Sequence, residues 1–225
     1  MNTLLRFALP LAGAVLGFAS AANAVIVPGV YNTGLGINGA TLAAGDGQVD
    51  ANYFVVSSNA PGVVAGRNAL TYYNPAYLQD GPMSRIVNST GNGNGTGGTT
   101  TTFATTFSLA GFDATNATLS GQALFDNFGE IFLNGNQIGG TIVGFGSLAP
   151  FGTNANFFTS GLNTLSFVLH NAGGPEAFQV AGLTVTAAPL AGAVPEPATW
   201  GLMIAGFVLV GASMRRRATS TTVAA

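Results

Sequence analysis

Apolar residues recur at every second position through much of the second half of the chain, and that spacing narrows the fold more than any other feature. In "FATTFSL", Phe103, Thr105, Phe107 and Leu109 fall on one side. In "NTLSFVLH", Leu165, Phe167 and Leu169 do the same, with Ser166, Val168 and His170 opposite; in "GLTVTA", Leu183 and Val185 alternate with threonines. Successive side chains of an extended strand point to opposite faces, so this pattern builds half-buried strands rather than the apolar stripe of a helix. "EIFLNGNQIGG" adds a hairpin cue, because Asn134-Gly135 tolerates the left-handed backbone of a two-residue turn and apolar runs flank it. No amphipathic helix of any length is legible between the two ends. Short strands at this spacing predict an all-β body over residues 25–188, a single β-sandwich of the jelly-roll kind.

Charge excludes some functions for that body. It holds seven carboxylates (Asp46, Asp50, Asp80, Asp113, Asp126, Glu130, Glu176) against Arg67 and Arg85, which leaves it about five charges negative. A nucleic-acid binder needs cations to neutralise phosphates, so no nucleic-acid partner is expected. With no cysteine in the chain, neither disulfides nor thiol chemistry enter. "GNGNGTGGTTTT", residues 91–102, reads as a Gly/Thr-rich loop, a loose excursion from one domain rather than a linker between two. Its glycines follow no strand-to-helix context, so they do not make a nucleotide loop.

Both ends read as addresses. Residues 1–24 carry Arg6, an apolar run from Phe7 to Ala19, and the small residues Ala22 and Ala24 at the positions a signal peptidase requires, which predicts a signal peptide cleaved after Ala24. Near the other end stands "VPEPATWGLMIAGFVLVGASMRRR", residues 194–217. Pro195 and Pro197 disfavour helix before them, so a helix is expected from about Ala198. From there to Met214 every residue is apolar or small. Such a segment reaches roughly 25 Å, slightly under the ~30 Å hydrocarbon core of a bilayer. With Trp200 at its outer end and Arg215, Arg216 and Arg217 held inside, it is expected to be a short transmembrane span (198–214), the body facing outward. Residues 189–194 are then a linker and 218–225 a cytoplasmic tail.

The same stretch resembles the PEP-CTERM sorting signal in its Pro-Glu-Pro-x-x-Trp-Ala variant. The matching positions are Pro195, Glu196, Pro197, Trp200 and the arginines 215–217; Gly201 stands where that variant has Ala. The resemblance implies a Gram-negative cell and a partner of the exosortase type, a transpeptidase-like membrane enzyme acting near Pro-Glu-Pro. It further implies an inner-membrane-anchored precursor with its body in the periplasm, later found in the envelope or outside. The context of such signals is exopolysaccharide and biofilm matrix. A second resemblance lies in "LFDNFGEIFLNGNQIGGT…GLNTLSFVLHNAGGPEAFQV", which is similar to galactose-binding-like jelly rolls. It implies the fold more than an activity, since some relatives bind sugars and others only pack against a neighbour.

Candidate chemistry in the body is sparse. A lone histidine, His170, with no cysteine leaves little for catalysis, and no cofactor is implied. Asp126, Asn127 and Glu130 in "DNFGE" have three readings: backbone caps of a turn, oxygen ligands for Ca²⁺, or a glycosidase carboxylate pair. Tyr72, Tyr73 and Tyr77 in "NALTYYNPAYLQD" are either a sugar platform or core packing. The expectation is a non-enzymatic exported protein with a structural or interaction role. A carbohydrate-binding module for a matrix polysaccharide is the alternative, and a glycoside-type hydrolase a third reading.

Overall fold

The period-two segments do form strands. The computed structural model describes residues 23–78, 80–93, 95–190 and 197–218. Within them lie β1 (Val25–Ile26), β2 (Val49–Ser58), β3 (Asn68–Thr71), β4 (Val87–Asn88), β5 (Thr99–Ser108), β6 (Phe112–Leu133), β7 (Asn136–Thr153), β8 (Leu162–Asn171), β9 (Ala177–Pro189) and one helix, α1 (Pro197–Ala218). All the strand pairings are antiparallel. The strand order β1-β9-β4-β3-β2-β5-β8-β6-β7 would leave a sheet open, but β6 also pairs with β9. The sheet therefore closes on itself as a β-sandwich with barrel-like continuity.

β6 makes that closure. Phe112 to Asp126 lies against β9 and Phe128 to Leu133 against β8, while β7 follows it along both stretches. The changeover falls at Asp126-Asn127, where the register to β7 shifts. The expected turn at "DNFGE" is thus part of a continuous strand. The bend needed to change partners is absorbed by an irregularity in the ladder rather than by a reversal. The hairpin expected at Asn134-Gly135 is present: both residues have positive φ, 50° and 83°, and Leu133 pairs with Asn136 across the turn.

The core follows the alternation. Phe103, Leu109, Leu165, Phe167, Leu169 and Val185 are fully buried, and Phe107 and Leu183 nearly so. Phe178 on β9 sits at its centre, with ring centroids 4.5 Å from Phe103, 5.6 Å from Phe167, 5.9 Å from Tyr53 and 6.1 Å from Phe125. Burying such rings is the largest favourable contribution here, each worth about 1.5–3 kcal/mol by area alone. Residues 25–90 join this same core through Val27, Tyr53, Val55, Ala69 and Val87.

The Gly/Thr-rich segment is shorter as a loop than the sequence suggests, because β5 begins at Thr99. The threonines are β-branched, fit the pleated surface, and pair with β8 from Thr99↔Asn171 onward. The glycines before them are pinned. The Gly91 amide donates to Asn88 Oδ1 at 2.5 Å and the Gly98 amide to the Asn171 carbonyl at 2.8 Å. Gly93 has φ 67°, and a Cβ there would overlap the Tyr72 ring; one on Gly95 would overlap the Asn171 amide. Glycine is needed at these positions for backbone to approach side chain.

Beyond the sandwich, α1 starts one residue before the expected Ala198, since proline is tolerated at a helix's first position. It continues through the arginines to Ala218. Leu202, Met203, Ile204, Phe207, Val208, Leu209, Val210 and Met214 on it are all exposed. The helix covers the whole of the expected span 198–214; among the described residues no helix is long and apolar enough to cross a membrane.

Candidate functional sites: a sorting segment and an open groove

The sorting positions divide between described and undescribed chain. Trp200, Arg215, Arg216 and Arg217 lie on α1, with Pro197 as its first residue. Pro195 and Glu196 lie outside the described residues, as does Ala22; Ala24 is described and exposed.

The three tyrosines go to different places. The strand β3 ends at Thr71, and the chain then turns Tyr72 and Tyr77 inward, where they form a small second cluster with Ile86, Ala177 and Phe145. The Tyr77 ring packs edge-on against Phe145 at 4.8 Å and against Tyr72 at 5.9 Å. Its hydroxyl donates to Asp126 Oδ2 at 2.5 Å. Burial, and then the Asp126 carboxylate it bonds, push the Tyr77 pKa up. Burial likewise raises Asp126 by more than the tyrosine bond lowers it. Tyr73 is half exposed, held by its amide on Asp46 Oδ1 at 2.6 Å.

Asp126, Asn127 and Glu130 do not converge. Asp126 is buried on Tyr77, and Asn127 Oδ1 accepts from the Ala172 amide at 2.6 Å. Glu130 points to the outer face of the sheet, where its Oε2 lies 2.8 Å from His170 Nε2 and its Oε1 accepts from Thr141. Alternation along β6 explains the separation, since the kink at 126–127 breaks the phase that would put residues four apart on one face. Among the described residues no cluster of His, Asp and Glu is arranged to hold a metal.

Two features escaped sequence reasoning. The first is a line of side chains across β5, β8 and β6: Thr100 Oγ1 sits 3.1 Å from His170 Nδ1, Glu130 holds the other ring nitrogen, and Phe128 stacks on the imidazole at 4.6 Å. Thr100, His170 and Phe128 are direct cross-strand neighbours, so only the strand register reveals the set. An aligned hydroxyl, imidazole and carboxylate resemble a nucleophile with its base, but donors for an oxyanion are also needed. The Thr100 amide is already spent on Asn59 Oδ1 at 2.7 Å.

The second is a groove of about 640 Å³ beside β3 and β4, lined by Val49, Gly62, Val64, Gly66, Arg67, Asn68, Leu70, Ser89 and Thr90. Alternation turns Asn68 and Leu70 outward on β3 and buries Ala69 and Thr71. Ser89 and Thr90 follow β4, and the Ser89 hydroxyl donates to the buried carboxylate of Glu176 behind it. The two body arginines differ sharply. Arg85 is held by Asp80 and by the carbonyls of Leu42 and Gly81, whereas Arg67 is exposed and makes no ion pair with any described carboxylate. The available cue was that a body with so few cations places one between a glycine-rich turn and a strand, in "VVAGRNAL".

With these geometries established, the family comparison decides one point. Residues 193–217 match the PEP-CTERM protein-sorting motif. The C-terminal segment therefore carries that motif, which covers α1 up to the last arginine. No curated protein sequence matches the chain. Among solved structures the chain is similar to a family 11 carbohydrate-binding module from Clostridium thermocellum in complex with a β-1,3-1,4-mixed-linked tetrasaccharide. That similarity is 10% identity and a TM-score of 0.30, over 65% of this chain and 97% of the module. It is also similar to the family 11 module of the cellulosomal cellulase Lic26A-Cel5E of the same bacterium, at 10% identity and a TM-score of 0.31, over 65% and 96%. At that distance neither neighbour assigns a function to this chain.

Proposed function

We propose that the chain is made as an exported precursor whose β-sandwich has a non-catalytic structural or interaction role in the envelope or extracellular matrix of a Gram-negative cell. Residues 1–24 act as a signal peptide cleaved after Ala24. α1 holds the precursor in the inner membrane with Arg215–Arg217 on the cytoplasmic side, the body lying in the periplasm. An exosortase-type enzyme then acts near Pro195-Glu196-Pro197. The observation that carries this reading is the sorting motif lying on a helix whose large apolar side chains from Leu202 to Val210, with Met214, are exposed. Water would not tolerate that surface in a finished soluble protein, so a membrane before processing accounts for it. The short span fits a temporary station, held by interfacial Trp200 and the arginines. Replacing Pro195-Glu196-Pro197 by three alanines in the native host is expected to leave the unprocessed chain in the membrane fraction. Normal processing of that variant would remove the enzyme from the account.

A second reading is that the body recognises a matrix polysaccharide. It is favoured by the open groove at Arg67, which combines apolar walls with amide and hydroxyl groups, the mixture a sugar ring requires. Half-exposed Tyr73 is the one of the three tyrosines still offering a face to a ligand. Retention of the purified chain on exopolysaccharide from its own host, and its release by that polymer, test this reading.

A further inference from the structure

The groove beside β3 and β4 has an unusual charge for this protein. The body carries seven carboxylates and two arginines, yet none of the nine residues lining the groove is acidic, and one is Arg67, which makes no ion pair with any described carboxylate. Glu176 lies behind Ser89, buried and turned to accept from the Ser89 and Thr101 hydroxyls.

The hydrogen-bonding groups left to a ligand are equally specific. Asn68 spends one of its two amide N–H groups on the Asp50 carbonyl at 2.6 Å, which leaves the other N–H and the Oδ1 acceptor for a ligand. Thr90 Oγ1 donates to Asn92 Oδ1 at 2.8 Å and Ser89 Oγ to Glu176, so both hydroxyl oxygens also remain as acceptors. Arg67 brings only donors, in a planar fork that suits a carboxylate. A complementary ligand must therefore present one anionic acceptor and several hydroxyl donors. It must also have an apolar face for Leu70 and Val64.

We propose that this groove takes an acidic sugar, with its carboxylate on Arg67 and its hydroxyls on Asn68, Ser89 and Thr90. The assignment rests on the polysaccharide reading above and names its substrate class. A uronic acid satisfies all three requirements in one ring. A neutral hexose would leave the guanidinium without its anion, and a simple anion would leave the acceptors and the apolar wall unused.

The test uses the full chain in detergent with two hexamer series, oligogalacturonate and oligomannuronate, each as the free acid and as its methyl ester. Esterification removes the charge and keeps the ring. By titration calorimetry, at least one free-acid hexamer is expected to bind about tenfold or more tighter than its ester, the worth of one charge-assisted hydrogen-bonded pair. Arg67→Gln should abolish that preference and Arg67→Lys should keep part of it. Since Arg67 is exposed, an unchanged Tm in both variants is expected and separates loss of ligand from loss of fold. Acid and ester binding equally, or a preference that survives Arg67→Gln, would overturn the acidic-sugar assignment while carbohydrate recognition stands. Absence of binding in both series, together with no retention on the host's own polymer, would overturn both.

Discussion

Phe178 and Phe207 are the same side chain in opposite circumstances. Phe178 is fully buried among four aromatic rings in the sandwich, and Phe207 is 71% exposed on α1. The residues around them repeat the contrast, for the sandwich turns its large apolar groups inward while α1 turns its own outward. Hydrophobicity alone does not distinguish the two regions. Periodicity does: spacing of two closes a sheet around a core, whereas an apolar run without a polar face leaves the described apolar side chains of a helix exposed. The first region covers its own apolar groups, and the second leaves the ones described on it exposed.

The largest expected effect sharpens that difference directly. Phe178→Ala should destabilise the body by about 3–5 kcal/mol, the usual cost of emptying an aromatic site in a packed core. Phe207→Ala should leave the body's unfolding transition where it was, as measured by thermal denaturation of the full chain in detergent. A matching loss at Phe207 would show that α1 packs on the sandwich and break the comparison. The glycines give a second pair. Gly93→Ala, at φ 67° and against the Tyr72 ring, should cost roughly 1–3 kcal/mol from strain. Gly201→Ala, with open space around it, should leave the body unchanged.

How far the sequence revealed this architecture depends on the range of the interactions involved. The strands holding Phe103, Phe167 and Val185, and the Asn134-Gly135 turn, were legible because alternation and turn chemistry are local. β6 changing partners at Asp126-Asn127 was not, because a strand passing from β9 to β8 leaves no local mark and "DNFGE" carries the residues of a turn. The Gly/Thr run misled for a related reason: its glycines fit against Tyr72 and Asn171, which are distant in sequence. Tyr72 and Tyr77 read equally well as platform or packing until β3 fixed which way the chain turned. The sorting motif was legible because it is a linear pattern in the sequence. The Arg67 groove was not, since β2, β3 and the segment after β4 come together only in the fold.

Smaller effects probe polar groups inside the sandwich. Tyr77→Phe removes the donor on Asp126 and should cost about 1–3 kcal/mol, because a buried carboxylate loses a partner. The pH dependence is expected to run opposite to ordinary acid denaturation. Asp50 is fully buried, and burial raises it from 3.8 to about 6 despite the Asn52, Gly34 and Tyr53 amides that pull it down. The folded state therefore holds this proton more tightly than the unfolded chain does. Stability is lost as pH rises from about 4 through about 6, and regained on acidification. Burial raises Asp80 and Asp126 as well, adding the same sign. The Tm of the body should thus be higher at pH 5.5 than at pH 7.5, and a Tm that rises from pH 5.5 to pH 7.5 would contradict the assignment.

The account's central claim is that the helix is an address and the sandwich is what gets delivered. The intact mass of the protein recovered from its own host's envelope and medium, with mapping of its C-terminal peptide, tests that claim most directly. A mature chain beginning at Val25 and ending near Pro195-Glu196-Pro197, without Trp200 and everything after it, is the predicted result. A chain from the same fractions that still carries Trp200 through Arg217 would contradict it.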